Sequence, residues 1–360
     1  MPAKEMSAKN AAKVEAKVRE ALAAVPTIPG AWIGVWDPKK GAYLGAFGDA
    51  ATGGAATTTA DSFRIGSITK SFTAVVILSL IAGGELALTD TIAERLPALA
   101  AKYPQVADIT IQQLLSMTSG ITDYANVPTN GIVPQAVANP SRVFTADELI
   151  TAGIEGGVTP GTTGYSTTNY IILGEIAEAV TGTPIEALIA ERVTKPLGLN
   201  KTVLPAPEST SAPQPQSRGY VIDSAELVSS GAPAVPTGTD VTDWNSWGQA
   251  GGGMWSTLED LGAFAASESG NSLLPKKLAK ARLKTKTVQE GLDYGLGIIK
   301  WGPWVGHQGE ALGYETWALH NTKTGVTYVG VVNACCGDVS LASLAPLLAL
   351  YPKDAEYLLG

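Results

Sequence analysis

The segment Phe63-Arg64-Ile65-Gly66-Ser67-Ile68-Thr69-Lys70-Ser71-Phe72 contains the one Ser-x-x-Lys spacing in the sequence. On a helix, side chains at positions i and i+3 lie on the same face, so the Lys70 amine can reach the Ser67 hydroxyl. A serine becomes a nucleophile when a neighbouring base accepts its proton, and a lysine can serve when its environment lowers its pKa. The spacing is therefore compatible with a nucleophile, Ser67, paired with a general base, Lys70, although by itself it favours an ordinary helix start.

The alternative for this segment is an ordinary helix start with a solvated lysine, and the residues that follow decide between the two. They run Ser71-Phe72-Thr73-Ala74-Val75-Val76-Ile77-Leu78, and a helix this apolar is expected to be buried. Lys70 is then buried with it or points into a cleft. If Ser67 opens the helix, its N–H lies among the unpaired N-terminal donors, where an oxyanion is stabilised. The apolar run over residues 74–82 is too short to span a bilayer, so no membrane span is expected.

The bulk composition indicates an ordered, loop-rich enzyme. The 360 residues are 45% hydrophobic, enough for a large core in one large domain or two interleaved lobes. Only 16% are charged, while 40 Gly and 22 Pro argue against a disordered or coiled-coil protein. The net charge is −8 and no cluster of Lys and Arg stands out, so nucleic acid is not expected as a partner.

The few histidines and cysteines exclude a zinc site of ordinary spacing. His307 and His320 are the only histidines, and the only cysteines, Cys335 and Cys336, are adjacent, so neither a metal nor another cofactor is expected. A disulfide between neighbours strains the geometry such bonds prefer, so both cysteines are expected to be reduced or buried. The N-terminus lacks the apolar core of a signal peptide; a cytoplasmic protein and a mature exported form both remain open.

Strand-like patterns lie at both ends of the chain and helical patterns in the middle. The simplest arrangement is an α+β fold, in which both ends join in one antiparallel sheet flanked by helices and a mainly helical lobe is inserted. A site would lie in the cleft between the lobes. The lobes would comprise residues 1–66 with 290–360, and residues 67–289, including a Pro/Ser/Gly-rich excursion at about 205–245. The predicted strands cover residues 31–36, 42–47, 294–300, 304–307, 314–320 and 326–333, and the predicted helices cover 8–25, most of 68–191, 258–267 and 341–351.

The segment around Ser67 resembles the nucleophile segment of the serine β-lactamase and DD-peptidase superfamily. The resemblance covers roughly residues 30–335 and is closest to the branch of class C β-lactamases, soluble D-alanyl-D-alanine carboxypeptidases, family VIII-type esterases and D-aminopeptidases. It implies a β-lactamase/transpeptidase-like fold and a penicillin-binding-protein-like serine hydrolase. The further blocks that agree in order and spacing are Gly84-Glu85-Leu86-Ala87-Leu88-Thr89-Asp90, Ile109-Thr110-Ile111-Gln112-Gln113-Leu114-Leu115-Ser116-Met117-Thr118-Ser119-Gly120, and Pro160-Gly161 through Tyr170-Ile171-Ile172-Leu173-Gly174.

The resemblance also implies roles for residues outside the Ser-x-x-Lys pair. Tyr165 falls where the family keeps the tyrosine of its Tyr-x-Asn motif, and it would pass the proton from Ser67 to the leaving group. Trp304-Val305-Gly306-His307-Gln308-Gly309-Glu310 is similar to the third motif, written His-x-Gly in this branch. His307 would then tune the network of Ser67, Lys70 and Tyr165.

Other residues of these motifs would contact the substrate. Gly309 would let the backbone approach it, and the Glu310 N–H would be the second oxyanion donor beside the Ser67 N–H. Trp247 is equally consistent with an aromatic wall of the cleft and with ordinary packing, and His320 is interpreted as structural.

Several positions depart from the family pattern in a way that bears on the substrate. Thr167 replaces the motif asparagine, which removes an amide that relatives use on the substrate's acyl amide. Gln308 and Glu310 stand where carboxypeptidases of this branch have hydroxyls, and Ile299 falls where those enzymes have a carboxylate-binding arginine. Lys300 is adjacent but should face the other way on a strand. These departures favour substrates without a free carboxylate.

Three functions remain open from the sequence. The favoured one is an esterase or amidase that forms an acyl-enzyme on Ser67 with small ester, amide or D-amino-acid-containing substrates. The second is a D-alanyl-D-alanine carboxypeptidase, penicillin-binding protein or weak β-lactamase. The third is a non-catalytic sensor that retains the fold, and the joint presence of Ser67, Lys70, Tyr165 and His307 argues against it. Nothing in the sequence indicates an oligomeric state.

Overall fold

The computed structural model describes residues 4–127, 131–337 and 339–359. Eight strands in this part of the chain form one sheet in the order β2-β1-β12-β11-β10-β9-β8-β7, while β13, β4 and β5 form a second sheet and β3 pairs with β6. The strands are β1 (Gly30–Asp37), β2 (Gly41–Gly48), β3 (Ser62–Arg64), β4 (Tyr220–Val221), β5 (Thr239–Asp240), β6 (Trp255–Thr257), β7 (Lys286–Gln289), β8 (Leu292–Tyr294), β9 (Ile299–Trp301), β10 (Trp304–Ala311), β11 (Tyr314–Asn321), β12 (Thr327–Val332) and β13 (Ala334–Cys335).

The two ends of the chain meet in the large sheet. β1 pairs antiparallel with β12, with Ala31 opposite Val332, and forms a hairpin with β2. The hairpin turn is stabilised by Asp37, whose Oδ1 accepts hydrogen bonds from the backbone N–H groups of Lys39 (2.7 Å) and Lys40 (3.0 Å). The predicted α+β fold, with an antiparallel sheet built from both chain ends and flanked by helices, is confirmed.

The helices surround this sheet and fill the middle of the chain. α1 packs against α15, α15 packs on β1, β11 and β12, and α13 packs on the same three strands. The helices are α1 (Ala8–Ala24), α2 (Thr69–Gly83), α3 (Ile92–Arg95), α4 (Pro97–Lys102), α5 (Ile111–Leu115), α6 (Ile132–Ala138), α7 (Ala146–Glu155), α8 (Thr168–Thr181), α9 (Ile185–Ile189), α10 (Lys195–Leu197), α11 (Ala225–Ser229), α12 (Gln249–Gly252), α13 (Leu258–Ala266), α14 (Lys276–Arg282), α15 (Ser340–Leu350) and α16 (Ala355–Leu358).

Helix α2 is the core helix of the protein. Its residues from Thr69 to Leu78 are all buried, as the apolar sequence predicts. The helical segment Gly66–Gly83 is longer than the apolar run counted in the sequence, and by length and composition alone it is long enough to cross a membrane. However, 72% of it is buried inside the protein, as in the core helix of a globular fold.

The predicted strand over residues 294–300 is wrong in its middle. β8 ends at Tyr294 and β9 begins at Ile299, and the chain turns between them with Gly295 N donating to Ile298 O. Gly297 has a φ of +69°, and a Cβ there would lie 2.2 Å from the Ala74 Cβ on α2. The turn therefore needs glycine and brings this loop against the core helix.

The excursion over residues 205–245 folds back beside the cleft. It carries β4, α11 and β5, and β4 pairs with β13. The two cysteines lie at this point, and both are buried, which is one of the two alternatives expected from the sequence. The other alternative, reduced thiols, is not what the structure has, because Cys335 and Cys336 are joined in a disulfide bond. The division into two lobes stays a prediction.

Candidate active site

Ser67 lies in a tight turn just before the core helix. Residues Gly66–Ile68 form a 3₁₀ turn that leads into α2. Gly66 has a φ of +48°, and a Cβ on it would meet the Glu310 backbone oxygen at 2.3 Å and nitrogen at 2.7 Å. A Cβ on Gly309 would meet the Ile65 oxygen at 1.9 Å. The two glycines therefore allow β10 to lie directly against the nucleophile turn.

Lys70 contacts Ser67 from inside the protein. Its Nζ donates hydrogen bonds to Ser67 Oγ over 2.9 Å and to the Gly251 carbonyl over 2.8 Å. The side chain is fully buried, and this burial lowers the pKa of Lys70 to about 7, although the negative charge of Asp123 acts in the opposite direction. Near neutral pH a large fraction of the amine is therefore uncharged, and a neutral amine can accept the Ser67 proton.

Tyr165 is the second polar partner of Ser67. Its hydroxyl is hydrogen-bonded to the Ser67 side chain, and the Lys70 Nζ lies 4.9 Å from the centroid of its ring. Burial raises the pKa of Tyr165 well above its usual value, while the hydrogen bond to Ser67 lowers it. The phenol is thus protonated when Lys70 is neutral, which suits Lys70 to accept a proton and Tyr165 to donate one.

His307 lies behind this group and does not hydrogen-bond to it. Its Nε2 is 3.0 Å from the Tyr294 hydroxyl, and its Nδ1 is bonded to the Gln308 carbonyl. Burial and the neighbouring Lys70 charge lower the pKa of His307 to about 3, so the ring is neutral. A neutral Nδ1–H donating to a carbonyl leaves Nε2 as an acceptor for Tyr294. His307 therefore contacts Tyr294 and, in the described part of the chain, makes no hydrogen bond to Ser67, Lys70 or Tyr165, and its predicted tuning of that group stays a prediction.

The serine opens onto a cavity of about 520 Å³. Thr167, Trp247 and Glu310 lie in its lining, and Trp247 also packs partly against the core, so their predicted contacts with a substrate stay predictions. Gln308 is not among the described residues that line this cavity, so its contact with a substrate stays a prediction. The predicted oxyanion hole also stays a prediction, although the Glu310 peptide lies beside the nucleophile turn.

The sequence argument missed Asp123 and Tyr294. Asp123 is 7% exposed, and its Oδ2 accepts hydrogen bonds from the Thr167 backbone N–H and hydroxyl, both over 3.0 Å. The possible signal was its position three residues after Gly120, at the end of a block that matches the superfamily. Tyr294 ends β8, and no local pattern distinguishes it from an ordinary buried tyrosine.

Replacing Tyr165 by phenylalanine should lower kcat/KM by about 10²–10⁴-fold, the range for a lost general acid–base group. Tyr170→Phe is the matched control, because the Tyr170 ring also lies near Lys70, 5.9 Å from Nζ to its centroid, but its hydroxyl donates to the Leu115 carbonyl. We expect less than about tenfold loss from the control. Hydrolysis of p-nitrophenyl butyrate at pH 8, with melting temperatures for both variants, provides the measurement. Similar losses of kcat/KM in the two variants would indicate that Tyr165 serves only in packing.

Comparison with known proteins agrees with this geometry. A family model described as Beta-lactamase matches residues 18–351. Penicillin-binding protein 4 of Amycolatopsis lactamdurans is 32% identical over 157 residues, which are 42% of this chain and only 38% of that protein. Esterase EstB of Burkholderia gladioli is 26% identical over 305 residues, 72% of this chain and 77% of the esterase. A solved D-stereospecific amidohydrolase from Streptomyces sp. has a TM-score of 0.77 and 30% identity, covering 92% of this chain and 98% of that one.

These relatives test the predicted resemblance directly. The match to the β-lactamase and penicillin-binding-protein superfamily is confirmed. The relatives named as an esterase and an amidohydrolase bear out the prediction of a β-lactamase-related hydrolase of the esterase or amidase kind. With a family model that covers nearly the whole chain, the protein belongs to the beta-lactamase family.

Proposed function

We propose that this protein hydrolyses small esters or amides that lack a free carboxylate, through an acyl-enzyme on Ser67. The observation that carries the proposal is the buried Lys70 amine, 2.9 Å from Ser67 Oγ and with its pKa lowered to about 7. A base with a pKa near the working pH is most effective in proton transfer. Ser67 itself lines the cavity, which gives a substrate carbonyl access to the serine.

In the first half-reaction, Ser67 Oγ attacks the substrate carbonyl carbon while its proton moves to Lys70 Nζ. The backbone N–H groups of Ser67 and Glu310 would hold the resulting oxyanion. The bond to the leaving group then breaks, the leaving group takes a proton from Tyr165, and Tyr165 recovers one from Lys70. Water attacks the ester in the second half-reaction by the same proton path and regenerates Ser67.

The charges around the cavity favour substrates without a carboxylate. Glu310 and Glu226 line it, and Ile299, at the position where carboxypeptidases have an arginine, is buried. Lys300 is exposed on the other side of its strand. Arg64 is the one cation among the described lining residues, and it is 4% exposed and donates to the carbonyls of Thr242 and Trp244. A substrate carboxylate would meet like charge.

A substrate panel tests the proposal. We expect turnover of p-nitrophenyl acetate and butyrate, little cleavage of peptides that end in D-Ala-D-Ala, and weak or no hydrolysis of nitrocefin. Ser67→Ala is the control for spontaneous hydrolysis, and D-alanine p-nitroanilide tests amide cleavage. A preference for the free-carboxylate peptide would make the carboxypeptidase the better interpretation, and absence of both turnover and acylation would favour the non-catalytic sensor.

Glu310→Thr should raise the ratio of kcat/KM for the carboxylate-bearing peptide to that for the neutral ester by about tenfold, because it removes a like charge and restores a hydroxyl. The ratio is measured at pH 8, since burial and the charges of Glu226 and Glu315 raise the pKa of Glu310 to about 7. The carboxylate is charged at that pH. If the ratio of kcat/KM values did not change, Glu310 would not be a determinant of substrate preference.

A further inference from the structure

Several polar side chains around the cavity already use a donor within the protein. Four of the hydroxyl and amide groups that could donate are bonded to backbone carbonyls of the protein itself. A bonded hydroxyl still has lone pairs, so these side chains present acceptors to the cavity. The bonds are Ser229 Oγ to Glu226 O (2.7 Å), Ser230 Oγ to Leu227 O (2.7 Å), Tyr124 Oη to Trp247 O (2.8 Å) and Asn245 Nδ2 to Ser141 O (2.6 Å).

The Thr167 hydroxyl, which also lines the cavity, is likewise engaged within the protein. Its hydroxyl proton is donated to Asp123 Oδ2 over 3.0 Å, and Asp123 is buried. Relatives with asparagine at this position present an amide donor, whereas Thr167 presents only lone pairs to the substrate. The neutral side-chain donors left among the described lining residues, apart from Ser67, are Asn126, the second amide hydrogen of Asn245, the Ser246 hydroxyl and the indoles of Trp244 and Trp247.

The charged side chains of the cavity are two carboxylates and one engaged cation. Glu226 lies on α11 and Glu310 on β10, and each contributes a side chain to the lining. The two are close enough that the charge of Glu226 raises the pKa of Glu310. Arg64 is occupied by the carbonyls of Thr242 and Trp244. The cavity therefore presents acceptors and negative charge next to the reactive serine.

We propose that the active-site cavity selects esters or amides that carry a fixed positive charge within a few bonds of the scissile carbonyl, with Glu310 and Glu226 as the specificity-determining counter-charges. The inference rests on the proposed function, since it names the substrate class of the same site. A quaternary ammonium group fits this lining because it is a cation that needs no acceptor of defined geometry, and the aromatic face of Trp247 can contact it.

Two matched pairs of thioesters measure this preference. Acetylthiocholine and S-(3,3-dimethylbutyl) thioacetate have nearly the same shape and differ by a positive charge in the leaving group. Methyl thioesters of betaine and of 3,3-dimethylbutanoic acid place the same difference on the acyl side. In each pair the quantity is the ratio of kcat/KM for the charged ester to that for its neutral partner. Comparing this ratio between wild type and variants cancels the intrinsic reactivity of the esters.

We expect the ratio to fall about tenfold in Glu310→Gln and further in Glu310→Gln/Glu226→Gln, for at least one of the pairs. The matched control is Glu290→Gln, an exposed carboxylate in the turn between β7 and β8, which should leave the ratio unchanged. The preference should also weaken as salt is raised from 0.05 to 0.5 M, values chosen to shorten the Debye length from roughly 14 to 4 Å.

The ratio should rise between pH 6 and pH 8. Glu310 has a pKa of about 7 and gains its charge in this window, with Glu226 on α11, Glu315 on β11 and Arg64 on β3 as the charged groups around it. A quaternary ammonium does not titrate, and Lys70 affects both members of a pair equally. The pH dependence should disappear in Glu310→Gln.

Binding measurements can test the preference for a positive charge even if the protein hydrolyses none of the esters. Ser67→Ala cannot form an acyl-enzyme, so calorimetric titration with each pair of esters compares their affinities without turnover. Tighter binding of the charged ester that is lost in Glu310→Gln/Glu226→Gln supports the inference even if the wild type shows no hydrolysis. Equal or weaker affinity for the charged esters, or a preference that both substitutions leave intact, overturns it.

Discussion

Replacing Ser67 by alanine should lower kcat by about 10⁶-fold on every ester that the protein hydrolyses. The reason is that Ser67 is expected to supply the atom that bonds to the acyl group, and among the described residues it is the hydroxyl that accepts a hydrogen bond from the Lys70 amine, over 2.9 Å. The residual rate would come from binding and any oxyanion stabilisation. The measurement is hydrolysis of p-nitrophenyl butyrate by purified wild type and variant, with melting temperatures to establish that both are folded.

Ser79→Ala is a matched control on the same helix. Its hydroxyl donates to the Val76 carbonyl, one turn back on α2 and away from the cavity. We expect its kcat to remain within about twofold of wild type, because a surface substitution away from the site has little effect on the folded state. A fluorophosphonate probe should label one serine, and peptide mapping should place it on Ser67. Labelling of another residue would contradict the assignment of the nucleophile.

Replacing Lys70 by alanine should be as damaging as losing Ser67, and the double variant should be no slower than either single one. Residues that act as one catalytic unit show this non-additivity, because removing either already abolishes the step that both perform. Single-turnover acylation rates for the two single variants and the double variant provide the measurement. If Lys70→Ala kept most of its activity while folded, the general base would have to be another group.

The pH profile of wild type gives a second test of Lys70. Because the neutral amine is the active form, kcat/KM should be low at acid pH and rise with an apparent pKa of about 7. Asp123 raises the pKa of Lys70, so Asp123→Asn should move this rise to lower pH. The substitution keeps an oxygen that can accept the Thr167 hydroxyl proton. A rise that does not move would show that Asp123 acts on Thr167 alone.

The arrangement of His307 and Tyr294 explains why a histidine can occupy the third motif without acting as a base. The ring is 2% exposed, and its pKa of about 3 keeps it neutral at every pH at which Lys70 works. Its two nitrogens are engaged by Tyr294 and by the Gln308 carbonyl. The Tyr165 ring in turn packs edge-on against Tyr294, with 6.0 Å between centroids. His307 is thus linked through Tyr294 to Tyr165, the predicted general acid.

Much of the catalytic group could be predicted from the sequence because it is encoded locally. Ser67 and Lys70 are separated by one helical turn, and the apolar residues after them already imply that the lysine is buried. Tyr165 and Glu310 lie in short motifs whose order along the chain matches the superfamily. The meeting of both chain ends in one sheet follows from strands that need partners at each end.

Only the tertiary structure decided the partners that come from distant segments. Asp123 binds Thr167 from 44 residues away, and Gly251 accepts from Lys70 across 181 residues. Glu226 faces the same cavity as Glu310 because the excursion over residues 205–245 folds back onto β13. No periodic pattern or residue spacing in the sequence predicts such contacts, because they depend on how whole helices and strands pack. The sequence by itself predicted the nucleophile and its base, and the packing of distant elements determined which charged side chains line the cavity.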